Sequence, residues 1–265
     1  MKKLINNIIV LLLGLTMNIS LVLASENSHE NSVFQVATIA SLVQGVYDGD
    51  YKYGNLMKHG NFGVGTFLDL NGEMVAVDGN FYQIDSNGKV TNVHPEQIVP
   101  FAVVTYFNPT MHKNLNNIAN YNDLKNILLN MFPNKNKPYA IRIDGTFKVL
   151  ELRSPLKQMK PYPLLPQALK NQALFHLKNV KGSMVGFWFP KYWSGIEVPE
   201  LHLHFITMDR TAGGHVLEAD LITGQVNIQA LDEVQVYLPN TKSFAAANLS
   251  VEELNSVLKK TEGGN

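Results

Sequence analysis

The chain reads as α+β: mixed or antiparallel sheets with a few helices set between them. Three observations lead there. Turn dipeptides recur at short intervals, Asn71-Gly72, Asp78-Gly79, Asn87-Gly88 and Asp144-Gly145, and such pairs favour the tight turns that join hairpin strands. Helical periodicity is confined to a few stretches between the strand-like runs, the segregation expected of α+β domains. The run from Glu200 alternates Leu201, Leu203 and Phe205 with His202 and His204, which is the period of a half-buried strand.

In chain order, Met1-Lys2-Lys3 precedes an apolar stretch over residues 8–15, and Val22-Leu23-Ala24 offers a cut ahead of Ser25. Residues 1–24 are therefore predicted to be a cleaved signal peptide, which implies an exported protein, periplasmic or released, with no stable membrane anchor. Ser32 is placed to cap a helix whose apolar positions are Val36, Ile39, Ala40, Val43 and Val46. From Thr66 onward the turn pairs divide residues 74–77 and 81–84 into a β-meander, and residues 100–107 form a further strand. Asn122-Asp123 opens a helix with Leu124, Ile127, Leu128 and Met131 on one face, ending before Pro133.

Residues 139–143 and 146–152 are predicted to form a second hairpin about Asp144-Gly145. The proline-rich run 160–166 is the best candidate boundary between lobes, about 32–165 and 166–265. A helix is expected over 167–177 with Pro166 in its first turn, then a strand over 182–189. Strands follow over 226–230 and 233–237, and a last helix from about 250 to 260 carries Val251, Leu254 and Val257.

Composition bounds what the protein does. The 265 residues carry 22 basic and 22 acidic side chains and are 45% hydrophobic, enough for a sizeable core. A neutral balance without basic clusters argues against a nucleic-acid partner. The chain has no cysteine, which excludes disulfides, a lipoprotein anchor and a thiolate zinc site.

His202 and His204 lie two apart, so as strand residues they share a face. After Met208 the sequence Asp-Arg-Thr-Ala-Gly-Gly is turn chemistry, and His215 opens the next apolar run. An antiparallel hairpin returns His215 alongside the pair. Three imidazoles with other positions open suit a catalytic zinc or similar divalent metal. Against this stands the plainer reading of each histidine as a satisfied polar residue. Arg153, beside Ser154-Pro155, suits a substrate carboxylate or an ordinary surface position. Glu73 starts a strand after a tight turn, where most glutamates are solvated.

The run from Pro190 through Trp193-Ser-Gly-Ile-Glu-Val-Pro-Glu-Leu-His-Leu-His-Phe to Gly-Gly-His215-Val-Leu217 resembles the α-acetolactate decarboxylase family. The likeness continues in Gly65-Thr-Phe67, Asn71-Gly-Glu-Met74, Asp78-Gly-Asn-Phe-Tyr82, Arg153-Ser-Pro155 and Lys160-Pro-Tyr162. Trp193-Ser194 departs from the family's more usual Phe-Gly-type loop but touches no ligand position. The resemblance implies a two-lobed homodimer with a barrel-like C-terminal lobe. It implies zinc held by His202, His204 and His215, with Glu73 at the metal, Arg153 facing the substrate and Thr66 in the site. A second glutamate belongs near the C-terminus, where Glu262 matches best and Glu252 and Glu253 compete. The implied reaction takes a small 2-hydroxy-3-oxo acid, (S)-2-acetolactate, to (R)-acetoin and carbon dioxide. Two other classes stay open: a cupin-like metal oxygenase, which expects a glutamate a few residues beyond His204 where Asp209, in the expected turn, is the only acid in reach, and an exported binding protein with a structural zinc.

Overall fold

A computed structural model describes residues 31–250 and 254–261. The predicted signal peptide, Val251, Glu252, Glu253 and Glu262 lie outside the described residues. The elements run β1 (Ser32–Val36), α1 (Ile39–Val43), β2 (Tyr51–Lys52), α2 (Tyr53–Leu56), β3 (Phe62–Thr66), β4 (Glu73–Val77), β5 (Asn80–Ile84), β6 (Val90–Asn92), β7 (Ile98–Val99), β8 (Ala102–Thr105) and β9 (Met111–Ile118). They continue as α3 (Tyr121–Met131), β10 (Tyr139–Ser154), α4 (Leu165–Ala168), β11 (Ala173–Phe189), β12 (Glu200–Thr207), β13 (Gly213–Ala230), β14 (Glu233–Tyr237), α5 (Lys242–Ala246) and α6 (Leu254–Thr261).

Two sheets dominate. A seven-stranded sheet has the order β14-β1-β8-β3-β4-β5-β6, with β1 and β14 parallel and its other pairs antiparallel. The second, antiparallel sheet has the order β10-β11-β12-β13-β9, and β10 also pairs with β13, so four strands close into a barrel. The α+β class and the mixed sheets agree with expectation. The sheets do not divide at the proline-rich connection, because β10 before it and β11 after it are hydrogen-bonded neighbours.

The meander prediction holds for β4, β5 and β6, and the helix read from Asn122 is α3, begun one residue earlier and capped by the Asn120 side chain. Three expectations fail for tertiary reasons. Residues 32–36 are a strand, because β8 and β14 supply partners on both edges. The helix there is one short turn, capped when Thr38 accepts from the Ser41 amide at 3.2 Å. Asp144-Gly145 is no turn: β10 runs straight through it for 16 residues. Gly145 is small for another reason, since a Cβ there would lie 2.6 Å from the Thr223 carbonyl oxygen on β13. Residues 173–177 are strand rather than helix, as Leu177 and Phe175 pair with Leu150 and Leu152 of β10. Tertiary pairing overrides local preference in each case.

The pleat sorts side chains between two cores. Leu203 and Phe205 join Ile141, Ile143 and Val226 inside the barrel. Ile206 faces out of the barrel and packs with Val75 and Val77 of β4 in the layer between the sheets. Met74 and Ala76 take the far face of β4. The half-buried strand read from residue 200 is therefore buried on both faces. Glu73, in phase with Val75, and His202 and His204, in phase with Ile206, all enter the layer between the sheets.

Candidate metal centre and its cleft

Register builds the centre. His204 is directly opposite His215 across β12 and β13, and His215 is opposite Arg153 across β13 and β10. Arg153, His215 and His204 thus form one row over three adjacent strands, with His202 two residues from His204. Gly214 permits the row. Its φ is +149°, and a Cβ there would lie 2.6 Å from the Arg153 carbonyl oxygen.

The three imidazoles converge. His202 Nε2 lies 3.2 Å from His204 Nε2 and 3.2 Å from His215 Nδ1, and one nitrogen from each ring falls within 4.8 Å of the others. His204 Nδ1–H donates to the Met74 carbonyl at 2.8 Å. That bond fixes the tautomer with the Nε2 lone pair toward the cluster, the usual device for orienting a metal-ligating histidine. Burial lowers the His204 pKa to about 3, the Met74 bond opposing and Arg153 assisting. Burial also holds His202 and His215 well below the usual value, with help from the neighbouring imidazoles and Arg153. The rings are neutral at pH 7, the form that ligates metal. Donor type, convergence and protonation all fit a divalent ion.

Glu73 and Thr66 meet by a different route. They are cross-strand partners at the β3–β4 hairpin. Thr66 Oγ1 donates to the Gly72 carbonyl at 2.7 Å, and the buried Tyr53 hydroxyl donates to the Thr66 carbonyl at 2.8 Å. Glu73 is 6% exposed, with Oε2 at 3.5 Å from His204 Nε2. Arg153 is 3% exposed and donates from Nη1 to Gln172 Oε1 at 3.2 Å.

A cleft lined by Thr66, Glu73, Arg153, His202 and His204 gathers these groups. Its apolar wall comes from Ile39 and Leu42 of α1, Leu70, Phe101, and Leu165 and Leu169 at α4. α6 packs on α1 and α4 through Leu254 and Leu258, and Thr261 is buried at its end. Thr66, Glu73, Arg153 and the three histidines are brought together. Asp209, the acid in reach for the cupin-like alternative, is exposed in the hairpin turn and accepts from the Thr211 hydroxyl. The sequence reading missed Gln172, the Met74 carbonyl and the apolar wall. A backbone acceptor has no sequence signal, and the wall joins four separate segments. Gln172 was hidden inside the helix expected over 167–177.

The family model for α-acetolactate decarboxylase matches residues 33–251. The chain belongs to the α-acetolactate decarboxylase family. A relative from Brevibacillus brevis, named alpha-acetolactate decarboxylase, is 41% identical over 227 residues, covering 86% of this chain and 80% of that protein. The crystal structure of alpha-acetolactate decarboxylase from Bacillus subtilis strain 168 superposes with a TM-score of 0.86 at 40% identity, covering 88% of this chain and 99% of that one. A Staphylococcus aureus structure described as similar to that enzyme gives 0.84 at 27% identity, covering 88% and 100%.

Proposed function

We propose that the chain converts (S)-2-acetolactate to (R)-acetoin and carbon dioxide, with zinc held by His202, His204 and His215. The observation that carries this reading is three buried, neutral imidazoles converging on one another, two of them lining a cleft with Glu73 and Arg153. A divalent ion held there supplies Lewis-acid stabilisation of the negative charge that decarboxylation leaves on the substrate's oxygens.

The protein's own groups do the rest. Arg153 presents a planar guanidinium that grips the substrate carboxylate and aligns the bond to be broken. As that carbon–carbon bond breaks, its electron pair stays with the hydroxyketone fragment and the carboxyl carbon departs as carbon dioxide. Glu73, beside His204, moves a proton at the reacting centre, and delivery to one face of the carbon sets the chirality. Glu262 is the second carboxylate of this reading. Thr66 holds the β3–β4 turn that aims Glu73. The apolar wall of Ile39, Leu42, Leu165 and Leu169 excludes water and strengthens each charge interaction. Export through residues 1–24 and a homodimeric assembly belong to the same reading, to be checked by N-terminal sequencing of secreted protein and by sedimentation.

The test is metal removal with product analysis. Purified protein should contain zinc, release acetoin of one hand from racemic acetolactate, lose this activity on chelation and regain it with zinc. Full turnover by metal-free protein, or a zinc-loaded protein that makes no acetoin, defeats the proposal.

A further inference from the structure

We infer that Gln172 is a positioning residue for Arg153, and that an amide at this place, rather than a carboxylate, keeps the guanidinium available to an anionic substrate. The inference rests on the reading of Arg153 as the group that receives the substrate's carboxylate, and it deepens that reading.

Gln172 is tethered on both sides. Its backbone N–H donates to the Leu169 carbonyl at 3.2 Å, closing the turn that follows α4. The next residue, Ala173, pairs with Ser154, the neighbour of Arg153 on β10. The side-chain oxygen is thereby held 3.2 Å from Arg153 Nη1. The same short segment carries Leu165 and Leu169 into the cleft wall. One stretch of chain therefore shapes the apolar side of the cleft and orients its cation.

The choice of amide matters because Arg153 is buried. An acceptor on one Nη fixes the plane of a guanidinium, whose donors form a rigid fork. An amide oxygen does this without bringing charge. A carboxylate of the same shape would form a charge-assisted pair and compete with the substrate for the same donors.

Two variants of the zinc-loaded, full-length protein separate positioning from plain structure. Gln172→Glu keeps the shape and the acceptor but adds charge, and Gln172→Met keeps the length but removes the acceptor. Each is measured for KM and kcat with acetolactate, for zinc content and melting temperature, and for calorimetric binding of 2-hydroxy-2-methylbutanoate. That acid keeps the 2-hydroxy carboxylate and lacks the ketone, so it cannot decarboxylate. Gln172→Glu should raise KM and weaken binding of the acid by about tenfold, the effect of losing one charge-assisted hydrogen bond, with zinc and melting temperature unchanged. Gln172→Met should be impaired less in binding than Gln172→Glu. A merely structural glutamine predicts the reverse order, with Glu close to wild type and Met impaired. Wild-type KM and acid binding in Gln172→Glu overturn the inference. Failure of the wild type to make acetoin would defeat the proposed reaction instead, and the acid-binding comparison would still decide the role of Gln172.

Discussion

His204 has two jobs on two nitrogens, and substitution can separate them. Nδ1–H bonds the Met74 carbonyl at 2.8 Å and so ties the barrel to the seven-stranded sheet, while Nε2 points into the imidazole cluster. His204→Asn puts an amide N–H near the Nδ1 position and removes the Nε2 ligand. His204→Ala removes both. In the alanine variant the Met74 carbonyl, in a buried strand paired with β3 and β5, loses the second donor that His204 supplies, which costs about 0.5–1.5 kcal/mol. For a chain of this size about 1 kcal/mol shifts the melting temperature by about 2–4 °C, so metal-free His204→Ala should melt about 1–6 °C below metal-free His204→Asn. Both variants should lose zinc and acetoin formation together, since two imidazoles remain. Calorimetry on chelated protein reads the first difference, and metal analysis with an acetoin assay reads the second. Equal melting temperatures for the two variants would refute the bridging role of Nδ1. Full zinc content and turnover in His204→Asn would refute the ligand role of Nε2.

Glu73→Gln keeps the shape beside Thr66 and should retain zinc and KM while kcat falls on the order of 100- to 10,000-fold, the range for a lost general acid or base; a near-normal kcat would remove Glu73 from the proton path. Acid should destabilise the metal-free protein. The His204 pKa is about 3 folded against 6.5 for the free group, and His202 and His215 are shifted the same way, so the unfolded chain binds more protons and stability declines as pH falls from 6.5 toward 3. Melting of chelated protein between pH 7 and pH 5.5 measures this, and a smaller slope in His204→Asn ties it to the cluster, whereas identical slopes would not. Deleting residues 262–265 leaves α6 and the buried Thr261 in place, so zinc content and melting temperature should hold while turnover drops on the order of 100-fold through loss of Glu262; full turnover would send the search to Glu252 and Glu253.

What the sequence determined by itself is local. Strand period put His202 and His204 on one face, and the Gly-Gly turn returned His215 beside them, because a hairpin's register follows from its own residues. The meander, α3 and the absence of thiolate ligands were legible for the same reason. The tertiary structure decided what depends on partners distant in the chain. Residues 32–36 became a strand because β8 and β14 flank them, and β10 ran through Asp144-Gly145 because the approach of β13 there requires a glycine. The pairing of β10 with both β11 and β13 set Arg153 beside His215 and brought Gln172 to Arg153. Sheet packing then placed Glu73 and the Met74 carbonyl against His204 across 130 residues of chain. Periodicity shows which face a side chain takes, but only the assembled sheets decide what that face meets.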